Sequence, residues 1–279
     1  MSRKIKCIVF IGLFLSLNLL FTGCRKENKT KDIIRVGIDL KYPPFMYINN
    51  EGKPSGLEVD LAYAFGKYLG KKVEIINTDF TMLVASLESG ETDILISDMS
   101  VSEERKRKMS FSKGYRYGKT MALVNKKFYR EKNISEKMSS EEFFKLEGMK
   151  CIGLSGTIGI EIPNRYGREV TEATEIGMAI GEITKGRSNV MLGNYAVIGN
   201  YLANKETTDI YLGIKDYSIS CFVVRKGNEK LLDKANKFIE GLYEKGGLYE
   251  QLEIKYDKII KAYFKNKKMG FKYIVEKPE

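Results

Sequence analysis

Histidine and tryptophan are missing from this chain of 279 residues, and proline (5) and cysteine (4) are scarce. Without imidazole side chains, the chain cannot be a Ser-His-Asp hydrolase, a Cys-His protease or a zinc enzyme with histidine ligands. What is present, 43% hydrophobic and 30% charged residues, is the balance of a globular protein with one large or two medium cores. Disorder and collagen-like repeats are therefore excluded.

The first two dozen residues form a targeting segment. Arg3, Lys4 and Lys6 precede an apolar stretch that runs to Phe21 and is shorter than the roughly 20 residues of a membrane-spanning helix. Leu20-Phe21-Thr22-Gly23-Cys24 resembles a bacterial lipobox, although Phe21 stands where leucine is usual. We expect a lipoprotein signal peptide at 1–23, lipidation of Cys24 and a polar tether at 24–32; ordinary signal cleavage is the alternative.

Basic residues outnumber acidic ones, 47 to 36, for a formal charge of +11. An exported chain rarely meets nucleic acid, so we interpret the excess as surface charge compatible with anionic lipid or wall polymer. The expected location is extracytoplasmic, with the lipid holding the chain to the bacterial cell membrane. Cys151 and Cys221 lie in or beside apolar, strand-like runs. They are either buried free thiols or one disulfide.

Strand and helix patterns alternate along the rest of the chain. Ile33–Ile38 has the pattern of a buried strand, and from Gly56 apolar residues recur every three or four positions until Gly70 ends a predicted helix. Similar alternation continues to two closing helices near 231–243 and 248–256. The sequence therefore predicts an α/β fold with two lobes built on parallel strands.

Four ordered blocks are typical of one family; they are Gly37-Ile38-Asp39 with Tyr42-Pro43-Pro44-Phe45, Gly56-Leu57-Glu58-Val59-Asp60-Leu61, Ser97-Asp98-Met99-Ser100 with Glu104-Arg105, and Phe111-Ser112 with Tyr115. The chain resembles the bacterial extracellular solute-binding proteins of the polar amino-acid type, the receptors of ABC importers, over about residues 33–260. This resemblance implies a two-lobe periplasmic-binding-protein clamshell with two hinge strands.

The resemblance also implies domain limits. Lobe 1 is expected at 33–114 and 220–263, lobe 2 at 115–219, and the hinges near 115–119 and 216–220. A basic tail at 264–279 extends beyond the family pattern, either as an added strand or as a basic extension.

One end of the implied ligand site binds a carboxylate. Arg105 matches the family's carboxylate-binding arginine, and a guanidinium suits that role because it donates two parallel hydrogen bonds. From composition alone, Arg105 belongs to the solvated run 105–108. The turn Ser155-Gly156-Thr157, which precedes a helix, resembles the loop with which lobe 2 completes the carboxylate-binding site in this family. This resemblance predicts contacts from Gly156, Thr157 and Ile158 to the carboxylate. By itself such a turn is usually only a helix cap.

The rest of the implied site faces the ligand's backbone and side chain. Ser97 and Ser100 match positions that give a carbonyl and a hydroxyl to the ligand. Tyr42 and Phe80 match aromatic walls, although aromatic residues are more often found in a core.

The ammonium end departs from the family pattern. Asn194 stands where an aspartate is common, Asp98 stands where a small residue is usual, and Asp39 matches a ligand-contacting acid. We hypothesise that Asp98 or Asp39 takes the ammonium contact, which favours a polar or cationic amino acid. Alternatively, Asp98 points to solvent or is held by a Lys or Arg of lobe 2, because an unpaired buried carboxylate is costly.

The resulting prediction is a monomeric, non-catalytic receptor that binds a free amino acid, docks on an ABC permease and needs no cofactor, metal or nucleic acid. One alternative is an enzyme similar to the periplasmic cyclohexadienyl (arogenate or prephenate) dehydratases, for which Asp98 is the unusual acid. The other alternative is a ligand receptor for a membrane sensor.

Overall fold

The computed structural model describes residues 32–264 and 269–276. The predicted signal peptide, Cys24 and all of the tether except Asp32 lie outside the described residues. Within the described ranges, no helix combines the length and the apolar character that crossing a membrane requires.

Strands and helices alternate through most of the described chain. The strands, in chain order, are β1 (Ile33–Ile38), β2 (Lys41–Tyr42), β3 (Met46–Ile48), β4 (Pro54–Ser55), β5 (Lys72–Asn77), β6 (Ile94–Leu95), β7 (Met109–Lys119), β8 (Met121–Asn125), β9 (Cys151–Leu154), β10 (Val170–Ala173), β11 (Val190–Gly193), β12 (Thr208–Tyr211) and β13 (Tyr217–Arg225). The helices are α1 (Leu57–Leu69), α2 (Leu83–Ser89), α3 (Glu103–Lys108), α4 (Lys126–Glu131), α5 (Ser140–Phe144), α6 (Ile158–Arg165), α7 (Ile176–Thr184), α8 (Tyr195–Ala203), α9 (Glu229–Leu242), α10 (Leu248–Phe264) and α11 (Phe271–Val275).

Two five-stranded sheets organise the fold. The first has the order β5-β1-β6-β13-β7 and the second the order β10-β9-β11-β8-β12, while β2, β3 and β4 form a small antiparallel sheet. The chain passes from the first sheet to the second between β7 and β8, which only Thr120 separates, and it returns between β12 and β13.

Neither large sheet is purely parallel, so the prediction of parallel lobes is wrong in part. Parallel pairs join β1 to β6, β9 to β10 and β9 to β11, but β13 is antiparallel to β6 and β7, and β8 is antiparallel to β11 and β12. The antiparallel strands are those next to the points where the chain passes from one large sheet to the other. They enter each sheet directly from the other one, without the crossover helix that a parallel neighbour needs.

Helix α1 forms where the predicted periodicity places it. Leu57, Leu61 and Phe65 are buried against the core, and Gly70 ends the helix with a left-handed φ of 66°. Near its start, the Asp60 carboxylate accepts hydrogen bonds from Lys255 Nζ (2.6 Å) and Tyr256 Oη (2.8 Å) of α10. These contacts tie the two helices together over the first sheet.

The tail contains a short helix where the sequence suggested an added strand or a basic extension. Met269, Phe271, Ile274 and Val275 are all buried in one core cluster with residues of both large sheets, because their spacing puts the apolar side chains of α11 on one face. The Lys119 ammonium of β7 lies 4.7 Å from the centre of the Tyr273 ring. The described part of the tail therefore packs beside a strand that connects the sheets.

Cys151 of β9 and Cys221 of β13 are buried free thiols. Of the two states left open by the sequence, this is the one that the structure contains. Burial raises the pKa of Cys151 to about 11 and that of Cys221 to about 12, because an apolar site disfavours the charged thiolate.

Candidate functional site

The main cavity lies between the two large sheets and is lined by residues of both. Its empty volume is about 680 Å³, part of which is open to solvent. Eight of the eleven residues predicted to bind ligand line it: Tyr42, Phe80, Ser97, Asp98, Ser100, Thr157, Ile158 and Asn194. The other walls are mainly apolar, with Met46, Ile176, Met191 and Val197 among them.

Arg105 lies behind the cavity wall, and its side chain is not solvated. Its residue is 7% exposed, whereas Lys106, Arg107 and Lys108, which follow it in α3, are exposed. The Arg105 guanidinium donates from Nη1 to the carbonyl oxygen of Ser100 (2.9 Å) and from Nη2 to the carbonyl oxygen of Gly156. The interpretation of the whole run 105–108 as a solvated face is therefore wrong for Arg105.

Gly156 belongs to the second-sheet side, so Arg105 joins both sides of the cleft. Gly156 has a left-handed φ of 69°, a conformation that glycine adopts without a steric cost. Thr157 caps α6, since its Oγ1 accepts from the amide of Gly159 (3.2 Å) and donates to the carbonyl oxygen of Leu154 (2.7 Å). The turn is thus a helix cap and also part of the cavity wall.

Ser100 and Phe80 lie beside this arginine, whereas Ser97 contacts Asp39. Ser100 Oγ lies 3.4 Å from Arg105 Nη1, and Ser97 Oγ accepts a hydrogen bond from the amide of Asp39 (3.0 Å). The Arg105 guanidinium carbon lies 5.3 Å from the centre of the Phe80 ring, within the range of a cation–π contact.

Asp98 lines the cavity from the irregular segment after β6. Its φ of 52° is left-handed, which aspartate tolerates better than most residues. Its Oδ1 accepts from Arg116 Nη2 and Ser220 Oγ, and its Oδ2 accepts from Asn194 Nδ2 at 2.6 Å. The side chain is 11% exposed, so the alternative that it points to solvent is wrong. The arginine that holds it, Arg116, falls within the limits expected for lobe 2 (115–219), but its strand, β7, belongs to the first sheet.

Asn194 follows β11 in the second sheet, and its contact with Asp98 is the second polar bridge across the cleft. Because an amide donates without carrying charge, Asn194 satisfies one oxygen of Asp98 and leaves its negative charge in place. Asp98 and Asn194 both face the cavity.

Asp39 does not line the main cavity but an adjoining one, whose walls include Tyr42 and Phe80 and whose empty volume is about 520 Å³. It is 2% exposed, and its Oδ2 accepts from the amide of Phe80 (3.1 Å). Its Oδ1 has no hydrogen-bond partner among the described residues. Burial raises the pKa of Asp39 to about 6, although the charge of Lys41 and the Phe80 amide both act to lower it.

Comparison with known proteins assigns the chain to a family. The sequence profile of the bacterial extracellular solute-binding proteins, family 3, matches residues 34–265. The chain belongs to this family.

Relatives of this solute-binding protein are described as receptors for amino acids. A probable histidine-binding protein of Neisseria gonorrhoeae is 25% identical over 238 residues, which cover 83% of each chain. The arginine-binding extracellular protein ArtP of Bacillus subtilis is 26% identical over 243 residues, 84% of this chain and 91% of the relative.

A solved structure has the same fold. It is an ancestral amino-acid-binding protein described as a precursor of cyclohexadienyl dehydratase, with 26% identity, a TM-score of 0.65, and coverage of 81% of this chain and 96% of its own. The solute-binding protein therefore has the periplasmic-binding-protein fold that the sequence predicted.

Behind Asp98, the solute-binding protein buries charged residues that the sequence did not single out. Arg116 and Glu58 are both fully buried, and Arg116 Nη2 lies 3.3 Å from Glu58 Oε1. The Tyr115 hydroxyl donates to Glu58 Oε2 (2.5 Å) and accepts from the Asp98 amide (3.3 Å). In the sequence, Glu58 and Tyr115 are marked only by their place within the family blocks. Arg116 has no distinguishing pattern and resembles any polar residue of a strand.

Proposed function

We propose that this chain is an extracytoplasmic receptor that binds a free amino acid with a polar or cationic side chain for uptake through an ABC permease. One observation carries the proposal: the Asp98 carboxylate lines the cleft, and the buried Arg105 guanidinium lies directly behind the cleft wall, where it donates to the carbonyl oxygen of the lining residue Ser100. A zwitterion presents the complementary pair of charges. The descriptions of the relatives, as receptors for histidine and arginine, support the same class of ligand.

The carboxylate of the ligand would bind to Arg105. In the structure this guanidinium donates to the carbonyl oxygens of Ser100 and Gly156. A carboxylate is a stronger acceptor than a carbonyl, because the hydrogen bond is charge-assisted and bidentate. The N-terminus of α6, after the Thr157 cap, adds the positive end of a helix dipole.

The ammonium group of the ligand would bind to Asp98. Three donors already hold that carboxylate, two on Oδ1 and one on Oδ2, and a carboxylate has about four acceptor positions. Counting donors among residues 32–264 and 269–276, this leaves one acceptor position of Asp98, a residue that lines the cavity, for an ammonium.

The side chain of the ligand would lie between Tyr42 and Phe80, which line both the main and the adjoining cavity. That path leads towards Asp39, whose Oδ1 has no hydrogen-bond partner among the described residues. A cationic side chain would remove the cost of burying this charge. The two acids therefore favour cationic and polar ligands over glutamate or aspartate.

Binding is tested by calorimetry against the twenty common amino acids. A dissociation constant on the order of 1 μM would add roughly 4 kcal/mol to the folded state at 1 mM ligand, which thermal unfolding detects independently. Arg105→Ala should weaken binding roughly 30-fold or more, because it leaves a desolvated charge partner unpaired. Arg107→Ala is the matched control, since Arg107 is exposed in the same helix. Tighter binding of glutamate than of arginine, lysine or glutamine would refute the charge argument.

The lipid anchor and the lobe limits belong to the same proposal. With Cys24 lipidated, the chain should sediment with membranes, and Cys24→Ala should release it. Sedimentation of both forms, or release of both, would refute anchoring through Cys24. Lobes at 33–114 with 220–263 and at 115–219, hinged near 115–119 and 216–220, should close on ligand, which small-angle scattering measures as a smaller radius of gyration.

The dehydratase alternative needs a carboxylic acid that gives up a proton to a leaving group. Asp98 accepts hydrogen bonds from three donors, which favours its ionised form. The precursor relationship of the solved neighbour still makes turnover worth measuring. Release of phenylpyruvate from prephenate, or of phenylalanine from arogenate, would replace the receptor assignment with an enzymatic one.

A further inference from the structure

Three charged side chains form a line of contacts that starts at the cleft wall and continues behind it. Asp98 contacts Arg116, and Arg116 contacts Glu58. Arg116 Nη2 contacts both carboxylates, Asp98 Oδ1 by a hydrogen bond and Glu58 Oε1 at 3.3 Å. Glu58 and Arg116 have no exposed surface, and Asp98 has a side-chain exposure of 11%. Only Asp98 of the three faces the cavity.

The net charge of this line depends on Glu58. With both carboxylates ionised, the three groups together carry one negative charge, which is available to a cation in the cavity. If Glu58 were neutral, the charge of Arg116 would balance Asp98 alone, and the line would carry no net charge. Such charges act strongly on one another because the site is shielded from water.

We propose that Glu58, acting through Arg116, sets the negative charge that Asp98 presents to the α-ammonium of the ligand. Glu58 is therefore a positioning residue for binding, although it lies outside the cleft. This inference rests on the proposed function, and in particular on Asp98 as the ammonium contact.

Burial has the largest effect on the Glu58 carboxyl and raises its pKa above the ordinary value. The positive charge of Arg116 and the hydrogen bond from Tyr115 act in the opposite direction and favour the ionised form. The titratable groups that face it are Arg116 and Tyr115 of β7 and Tyr249 of α10. Glu58 should therefore take up its proton at a higher pH than an exposed glutamate does.

The test uses the whole chain, expressed with its own N-terminal segment and purified in mild detergent. The probes are L-arginine and 5-guanidinopentanoate, which is arginine without the α-ammonium. Calorimetry at pH 8 measures the ratio of the affinity for L-arginine to the affinity for 5-guanidinopentanoate. Effects on the carboxylate or side-chain contacts change both affinities and cancel in this ratio.

Glu58→Gln should lower the ratio about tenfold, as expected when a unit charge is removed a few ångströms behind a partly desolvated site. The double variant Glu58→Gln with Arg116→Met should restore it, because Asp98 then keeps its charge without a neighbouring cation. If the two substitutions instead caused additive losses in the affinity ratio, the role of Glu58 would be merely structural and the inference would be overturned. Circular dichroism verifies that each variant is folded.

A pH series provides a second test that needs no variant to fold. In the unmodified chain the ratio should fall as pH is lowered and Glu58 becomes protonated, and in Glu58→Gln this step should be absent. An unchanged ratio at every pH would overturn the inference. If the unmodified chain bound no amino acid, the proposed function would fail; if it bound arginine and Glu58→Gln bound it equally well, only this inference would fail.

Discussion

Replacing Asp39 with asparagine should stabilise the protein at neutral pH, although Asp39 lies beside the ligand cavity. The reason is that the folded state buries this carboxylate, with 2% of the residue exposed, and within the described part of the chain only one of its oxygens accepts a hydrogen bond, from the Phe80 amide. Asparagine keeps an oxygen for that amide and removes the charge.

The size of the effect follows from the pKa. Burial raises the pKa of Asp39 from 3.8 to about 6, and at about 1.4 kcal/mol for each tenfold change in proton affinity this corresponds to roughly 3 kcal/mol. Because the folded state binds the proton more tightly than the unfolded state, stability falls as pH rises from about 3.8 to about 6. The full cost is present above that range and shrinks to less than about 1 kcal/mol near pH 4.

Urea unfolding of the unmodified chain and of Asp39→Asn, at pH 4 and pH 7.5, measures this directly. We expect the variant to be about 2–3 kcal/mol more stable at pH 7.5 and nearly equal at pH 4. Glu88→Gln, an exposed acid on α2, is the control and should change stability by less than about 0.5 kcal/mol at either pH. A gap of the same size at both pH values, or a less stable variant at pH 7.5, would refute the reasoning.

Three further predictions concern buried residues. Arg116→Met alone should destabilise the fold by about 3–5 kcal/mol in urea unfolding, because it leaves Glu58 and Asp98 uncompensated; a loss below about 1 kcal/mol would contradict the buried charge pair. Phe271→Ala should cost about 3–5 kcal/mol by the same assay, because Phe271 is 1% exposed in the core, whereas a neutral result would mean that the tail is dispensable. Peptide mass spectrometry after iodoacetamide treatment should find Cys151 and Cys221 unmodified in native protein and modified in urea, because both thiols are buried with raised pKa values; rapid native labelling would be inconsistent with their burial.

Local patterns predicted the elements whose signals are local. Helix α1 and strand β1 have regular apolar spacing and clear end signals, and both form at the predicted positions. The short strands β10 and β12 have no such pattern, since they are defined by pairing with strands elsewhere in the sequence. The antiparallel entries into both sheets likewise depend on topology, which periodicity does not encode.

The site shows the same division. Eight predicted residues meet at one cavity because ordered motifs carry them together. Arg116 contacts Asp98 and Glu58, which precede it by 18 and 58 residues. No spacing rule connects such positions, so their shared network becomes visible only in three dimensions.

The position of β13 within the first sheet has a consequence for the order of folding. This strand lies between β6 and β7, and Val223 pairs with Leu95, which precedes it by more than a hundred residues. During synthesis, which starts at the N-terminus, the first sheet lacks its inner strand β13 until all strands of the second sheet have been made. The pairings of the second sheet all lie within the contiguous segment from Met121 to Tyr211. The longest of them joins Ala122 to Tyr211, a shorter separation than that between Leu95 and Val223. We therefore expect the second sheet to form first in refolding, followed by slower completion of the first, since contacts across long separations cost more chain entropy.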